Sequence, residues 1–213
     1  MEDIVLIGFG GHAKSVIDTI ERQNQYRIVG LLEKPENVER EYRGYRVIGD
    51  DGMLERLYKE GVRYAFVSIG YMGKSRVRNG LFEILKKIGY ILPVVIDPSA
   101  YISADAKLGE GTFVGKKAVI NSGASVGKMS IINTGAILEH EVMVSDFCHI
   151  AVGSILCGQA VVEDNVFVGA GAVVIQGKHL GKESVIGAGT VVTKDIFEKT
   201  LLYGNVMKKI EKE

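Results

Sequence analysis

Residues 102–138 read ISADAKLGEGTFVGKKAVINSGASVGKMSIINTGAIL, and an aliphatic side chain returns at every sixth position of this stretch. The register runs from Ile102 to Val192 without an insertion, so sixteen consecutive hexads carry Ile, Leu or Val at the same place. Two places before each aliphatic the residue is mostly small, and the residue after it is often Gly or Asn. A period of six indicates a β-solenoid, in which each hexad supplies one short strand and one turn.

Three hexads make one triangular coil of eighteen residues, so the sixteen hexads predict about five coils, each rising about 4.8 Å as backbones pair between coils. The aliphatic side chains point inward and form the core, and the small residues fit the tight corners. The sequence therefore predicts a parallel β-helix domain with a C-terminal tail over residues 96–213. The period of six does not determine the handedness of the coil.

The first half of the chain has a different pattern, in which short apolar runs alternate with helical patterns. Strands are expected at residues 3–8, 27–32 and 63–69, helices at 11–22, 51–60 and 75–88, and a charged loop at 33–44. Strands that alternate with helices predict βαβ units and a parallel sheet. Residues 1–95 are therefore expected to form a Rossmann-like α/β domain with a small parallel sheet.

Composition excludes several classes of partner. The 213 residues carry 26 Lys and Arg against 26 Asp and Glu, so no basic surface for nucleic acid or an acidic membrane is expected. The N-terminal run is acidic and too short to span a bilayer, which favours a cytoplasmic location without membrane contact. Cys148 and Cys157 form no metal-binding pattern, and no metal is expected.

Polar residues interrupt the hexads in one region, at residues 133–134, 139–141 and 149. Residues 133–141 (NTGAILEHE) resemble the active-site segment of the bacterial sugar acetyltransferases that include the UDP-4-amino-sugar N-acetyltransferases of bacillosamine synthesis and the sialic-acid O-acetyltransferases. Residues 8–12, 68–70 and 94–100 resemble the same family, so the likeness covers nearly the whole chain. The resemblance implies a left-handed β-helix, a homotrimer with its active sites between protomers, and acetyl-CoA as cosubstrate.

The resemblance also implies roles for individual residues. The family's general base corresponds to His140, and an imidazole suits proton transfer because its ordinary pKa of about 6.5 lies near working pH. The acid that orients this ring corresponds to Glu141, and the backbone amide that binds the oxyanion corresponds to Gly158. The coil register supports the last assignment independently, since Gly158 follows His140 by eighteen residues and must lie one coil further along the same row.

Further family positions define the two substrate sites. Contacts to acetyl-CoA correspond to His149, Ala170 and Ala188. The glycine-rich start of the first helix is suited to phosphates, and the family binds its nucleotide sugar there. The residues expected to bind the sugar substrate are Gly10, Gly11, His12, Glu33, Ser68, Gly70 and Asn133.

The resulting prediction is acetyl transfer from acetyl-CoA to the 4-amino group of a UDP-linked amino-dideoxy sugar. O-acetylation of sialic acid or another sugar is the main alternative, since the same His-Glu pair serves both acceptors. Glu33-Lys34 and Tyr71 depart from the family pattern and leave the nucleotide open. Less favoured alternatives are a metal-dependent β-helix enzyme and a nucleotide-binding scaffold.

Overall fold

The N-terminal half folds around a five-stranded sheet in a computed structural model that describes residues 1–34, 36, 40–72 and 76–204. Its strands and helices are β1 (Glu2–Ile7), α1 (Gly11–Gln23), β2 (Tyr26–Leu32), β3 (Glu41–Tyr42), β4 (Tyr45–Gly49), α2 (Leu54–Lys59), β5 (Tyr64–Val67) and α3 (Arg76–Ile88). The strand order is β3-β4-β2-β1-β5, and every pairing except that of β3 with β4 is parallel.

Helices cover both faces of this sheet, which explains why its strands are almost continuously apolar. Side chains of β1 alternate between the faces, so Ile4 and Leu6 pack with Val16 of α1, whereas Ile7 packs with Leu85 of α3. Helix α1 ends at Asn24, which adopts the left-handed conformation with a φ of 54°. The predicted α/β domain with a parallel sheet is confirmed.

Two local predictions were wrong in this half. The loop predicted at residues 33–44 contains β3, and Arg43 and Gly44, both with positive φ, turn the chain into β4, for which no strand was expected. Neither strand is a run of apolar residues like β1, since β3 reads EY and β4 reads YRVIG. The helix predicted at residues 51–60 is divided into a 3-10 turn, Asp51–Met53, and α2. Residues 35, 37–39 and the predicted helix start at residue 75 lie outside the described residues.

The C-terminal half is a solenoid of two-residue strands. They are β6 (Val95–Ile96), β7 (Tyr101–Ile102), β8 (Lys107–Leu108), β9 (Phe113–Val114), β10 (Val119–Ile120), β11 (Ser125–Val126), β12 (Ile131–Ile132), β13 (Ile137–Leu138), β14 (Met143–Val144), β15 (His149–Ile150), β16 (Ile155–Leu156), β17 (Val161–Val162), β18 (Phe167–Val168), β19 (Val173–Val174), β20 (His179–Leu180), β21 (Val185–Ile186), β22 (Val191–Val192) and β23 (Leu201–Leu202). Strand β6 spans the predicted domain boundary after residue 95.

These strands stack into three parallel sheets, and each strand from β6 to β19 pairs with the strand eighteen residues further on, as Val119 does with Ile137. The last pairing, of β21 with β23, has a spacing of sixteen residues. The second residue of each strand points inward and the first points outward. Every sixth residue from Gly111 to Gly189 has a φ between 54° and 71°, so the corners turn through left-handed residues even where they are not glycine. The predicted left-handed β-helix is confirmed in its period, its coil length and its parallel sheets.

The N-terminal domain covers one outer face of the solenoid, on the sheet that contains β9, β12 and β15. Phe113 and Ile131 point outward from the solenoid and are nevertheless buried in the core of the α/β domain. The buried guanidinium of Arg78 donates to the carbonyls of Val67 and Ile69 in one domain and of Met129 in the other, at 2.6–3.0 Å. The sheet's carboxyl end is thereby fixed against the solenoid.

Among the described helices, none combines the length and the apolar character that a membrane span requires.

Candidate active site

His140 and Glu141 occupy the corner between β13 and β14. Glu141 adopts the left-handed conformation of the corner residues, with a φ of 59°, and its amide donates to the carbonyl of Ser122 in the previous coil. The His140 side chain is 53% exposed, and its Nδ1 lies 3.4 Å from Glu141 Oε2. With Nδ1 facing a carboxylate, Nε2 is the nitrogen left to accept a proton.

Gly158 lies directly against the ring of His140, one coil further along. A methyl group placed on Gly158 would be 2.4 Å from Nε2 and 2.5 Å from Cε1 of that ring. Gly158 is buried beneath the ring, and within the described part of the chain no acceptor pairs with its amide. The structure therefore brings a basic nitrogen and a free backbone donor together, which is the pairing that acyl transfer requires.

Gln159, which forms a hydrogen bond with Glu141, was not identified in the sequence analysis. Its Nε2 donates to Glu141 Oε2 at 2.9 Å, and its backbone amide donates to the carbonyl of His140, also at 2.9 Å. The coil register could have predicted this contact, because Gln159 follows Glu141 by eighteen residues and must stack on it. An exposed Gln in a corner has no distinctive character of its own, so only the coil register identifies it.

His149 points outward from β15 but is 9% exposed, because the N-terminal domain covers it. Its Nδ1 lies 2.8 Å from the carbonyl of Tyr71 and must donate to it, which leaves Nε2 to accept from the Asn133 amide at 3.3 Å. Burial, reinforced by the charge of Arg78, lowers the pKa of His149 to about 4, although the Tyr71 carbonyl opposes this shift. His149 and Asn133 are thus joined as a neutral pair at the contact between the domains.

His12 lies in the first turn of α1, beside the same contact. Its ring stands edge-on to Phe113 at a centroid distance of 4.9 Å, and its Nε2 is buried without a hydrogen-bond partner in the described structure. Burial and the nearby Arg78 lower its pKa to about 3. Gly70 lies against His12, since a methyl group there would be 3.3 Å from His12 Cβ. The exposed Gly10 and Gly11 precede and begin the helix, as the sequence predicts.

Ser68 and Glu33 shape the loop after β1. The Ser68 hydroxyl is fully buried, 2.9 Å from the carbonyls of both Ile7 and Gly8, and it contacts protein backbone rather than open space. Glu33 accepts from the amide of Phe9 at 2.8 Å through Oε2. Ser68 therefore supports the loop from beneath, and Glu33 fixes it from the side.

A pocket of about 480 Å³ opens at the carboxyl edge of the N-terminal sheet, where ligands of open α/β sheets bind. Of the predicted substrate residues only Glu33 lines it, together with Asp50 and Asp51, which sequence reasoning did not identify. Partial burial and the charges of Asp50 and Glu33 raise the pKa of Asp51. Lys34, Gly8 and Gly52 also line the pocket. The rest of its lining is apolar and consists of Ile7, Leu32, Ile69, Val77 and Leu81.

Ala170 and Ala188 are exposed and lie one coil apart, connected by the amide of Gly189, which donates to the Ala170 carbonyl at 2.8 Å. Ala170 follows His140 by thirty residues, which is not a multiple of eighteen, so it lies at a different corner of the triangular coil. One chain alone therefore does not bring these alanines together with His140. Among the described residues, no cluster of three or more His, Cys, Asp or Glu side chains is arranged to hold a metal ion.

Two family models match the sequence. The PglD N-terminal domain matches residues 3–85, and the hexapeptide repeat of succinyl-transferase matches residues 106–139 and 159–194. A search of curated proteins found no match.

Several solved structures are similar over nearly the whole chain. The H-to-A mutant of GDP-perosamine N-acetyl transferase from Caulobacter crescentus, in complex with CoA and GDP-perosamine, is 34% identical with a TM-score of 0.90, covering 96% of this chain and 94% of that one. The acetyltransferase domain of PglB from Neisseria gonorrhoeae, in complex with acetyl coenzyme A, is 30% identical with a TM-score of 0.89, covering 98% and 99%. WeeI from Acinetobacter baumannii, at 22% identity and a TM-score of 0.74 over 96% and 97%, shares the fold.

The chain is 34% identical to the GDP-perosamine enzyme over 96% of its length, and a family model matches each of its two halves. The chain therefore belongs to the hexapeptide-repeat sugar acetyltransferases of the PglD type, a family of acyltransferases.

Proposed function

We propose that the protein transfers the acetyl group of acetyl-CoA to the 4-amino group of a nucleotide-linked amino sugar, with His140 as general base. The observation that carries the proposal is the contact between the His140 ring and Gly158, which places Nε2 beside an unpaired backbone N–H. Similar structures hold CoA with GDP-perosamine, and acetyl coenzyme A, which supports the donor and an amino-sugar acceptor.

The reaction follows from this geometry. His140 Nε2 takes a proton from the amine as its nitrogen attacks the thioester carbonyl, and the Gly158 N–H stabilises the oxyanion that develops. Glu141 faces Nδ1 and stabilises the imidazolium, as the acid of a catalytic triad does. When the C–S bond breaks, the imidazolium returns its proton to the leaving thiolate, so that the products are an N-acetyl sugar and CoA.

The nucleotide site is proposed at the carboxyl edge of the N-terminal sheet. The pocket beside Glu33 supports this, as do the free helix start at Gly10 and Gly11 and the adjacent His12. The family resemblance implies a uridine nucleotide, whereas one similar enzyme binds GDP-perosamine. The test therefore compares sugars linked to UDP with sugars linked to GDP.

A homotrimer is part of the proposal. His140 lies at one corner of the coil, and Ala170 and Ala188, the residues proposed to contact CoA, lie at another. A neighbouring protomer that brings its alanine corner to the His140 corner would complete the binding surface for the donor.

The test measures release of the CoA thiol with UDP- and GDP-linked 4-amino sugars and with their 4-hydroxy counterparts. We expect turnover with an amine acceptor and a loss of about 10²–10⁴-fold in His140→Ala, the usual effect of removing a general base. His179→Ala, which removes an exposed solenoid histidine paired with Glu163, is the matched control. Turnover above about a tenth of the wild-type rate in His140→Ala would exclude the general-base role, and preference for the hydroxyl acceptor would favour O-acetylation.

A further inference from the structure

We propose that Gln159 is a positioning residue that fixes the carboxylate of Glu141 for its work on His140. The inference rests on the proposed function and adds a residue to it. Glu141 is 61% exposed, and a carboxylate in water rotates freely unless something holds it. In this corner, the Gln159 side-chain amide donates to Oε2 at 2.9 Å, and Oε2 is the same oxygen that faces His140 Nδ1.

The coil geometry makes this contact specific. Glu141 and Gln159 have nearly equal left-handed φ angles of 59° and 61°, so their side chains leave the backbone in the same direction and stack between coils. The Gln159 backbone amide donates to the His140 carbonyl at 2.9 Å, which ties its position to the histidine itself. Beneath them, Gly123 leaves room for the stem of Glu141, since a methyl group there would be 3.2 Å from Glu141 Cγ.

The chemistry of an amide suits this place. A Lys at position 159 would compete with His140 for Glu141, and an acid would repel Glu141, whereas an amide donates a hydrogen bond without adding a charge. The negative charge of Glu141 then remains available to stabilise His140 when it becomes an imidazolium. Gln159 therefore keeps one carboxylate oxygen directed at the ring and brings no positive charge that would pair with Glu141 instead.

The first test is a double-mutant cycle. Gln159→Leu should lower kcat by about 3- to 10-fold, with KM for both substrates within about twofold, because an oriented contact acts on the transition state rather than on binding. In a Glu141→Gln background the same change should have almost no further effect, since its target is gone. Glu183→Ala alters another left-handed corner residue, with a φ of 59°, and serves as the control.

The second test reads the base directly. Gln159→Leu frees Glu141 to turn away from His140, which favours the imidazolium less and should move the acid limb of the kcat/KM profile to lower pH. An unchanged kcat in Gln159→Leu, an equal loss with and without Glu141, or an unmoved acid limb would each overturn the role of Gln159. Full activity in His140→Ala would instead overturn the underlying reaction, so the two failures are distinguishable.

Discussion

The edge of the His140 ring that carries Nε2 lies so close to Gly158 that a methyl group on Gly158 would overlap it. Gly158 is thus required by its missing side chain and not by its backbone conformation, because its φ is not positive, unlike those of the corner glycines. An alanine there would fold without backbone strain and would still displace the ring. A substitution at Gly158 should therefore move the general base without destabilising the coil.

Gly158→Ala should reduce kcat by about 10²-fold, since a shift of about 1 Å in a reacting group is enough for such a loss. The unfolding temperature should change by less than about 2 °C, because only an exposed ring has to turn away. Gly80→Ala, where the added methyl group meets open space on α3, is the control for turnover. Its unfolding temperature should rise, because Ala is favoured over Gly in a helix. Both quantities are measured on the same preparations, and near-normal turnover in Gly158→Ala would contradict the assigned ring position.

The buried His149 makes the stability of the protein depend on pH. Its folded pKa of about 4 lies below the ordinary value of 6.5, so the unfolded chain takes up a proton that the folded chain refuses. The stability present above pH 6.5 is therefore lost as the pH falls toward 4. His149→Gln should remove about one proton from this dependence, a slope of about 1.4 kcal/mol per pH unit.

Urea unfolding of the wild type and His149→Gln between pH 4.5 and 7.5 measures this difference, and the half-exposed His140 provides a control variant, His140→Gln. His12, whose pKa is lowered to about 3, contributes a second slope of the same sign that both variants retain. Parallel stability curves for wild type and His149→Gln would show that the ring is not held neutral by burial.

At the scale of elements, periodicity predicted the solenoid well because each hexad repeats one environment, with an aliphatic residue inside at every coil. It could not predict what covers the solenoid. The hydrogen bond between Tyr71 and His149 joins residues 78 positions apart, and no local pattern marks either end. His149 precedes the inward-facing Ile150 and so points outward from the coil, but onto the N-terminal domain rather than into solvent.

The candidate site was predictable only where its contacts follow from the coil repeat. The coil register alone places Gly158 beside His140, and by the same spacing it places Gln159 on Glu141. The pocket beside Glu33 was not predictable, because Asp50 and Asp51 follow β4, for which no strand was expected. Contacts set by a repeat are visible in sequence, whereas contacts between unlike elements require the folded chain.

On the scale of the whole molecule, one outer face of the solenoid is apolar from end to end. It belongs to the sheet that runs between the His140 corner and the Ala170 corner, and its outward residues are Tyr101, Val119, Ile137, Ile155, Val173 and Val191. Tyr101 is 62% exposed in the single chain. The corresponding face between β8 and β20 carries Lys107, Ser125 and His179 among its outward residues.

Three copies whose apolar faces surround a threefold axis would bury this surface. They would also bring the His140 corner of each protomer to the Ala170 corner of the next, because these corners bound the same face. Burial of apolar area drives such association, and closed cyclic symmetry uses the face in every copy. The same contact would therefore stabilise the assembly and complete the binding surface for the acyl donor.

Ile155→Lys, at the middle of the apolar face, should dissociate the assembly and lower turnover by about 10²-fold, since the donor would lose half of its site. Light scattering should give three times the chain mass of 23.2 kDa for the wild type and the chain mass for the variant. Val161→Lys, at the equivalent outward position of the other face, should stay trimeric and active. A monomeric wild type, or an active Ile155→Lys monomer, would show that a single chain contains the complete site.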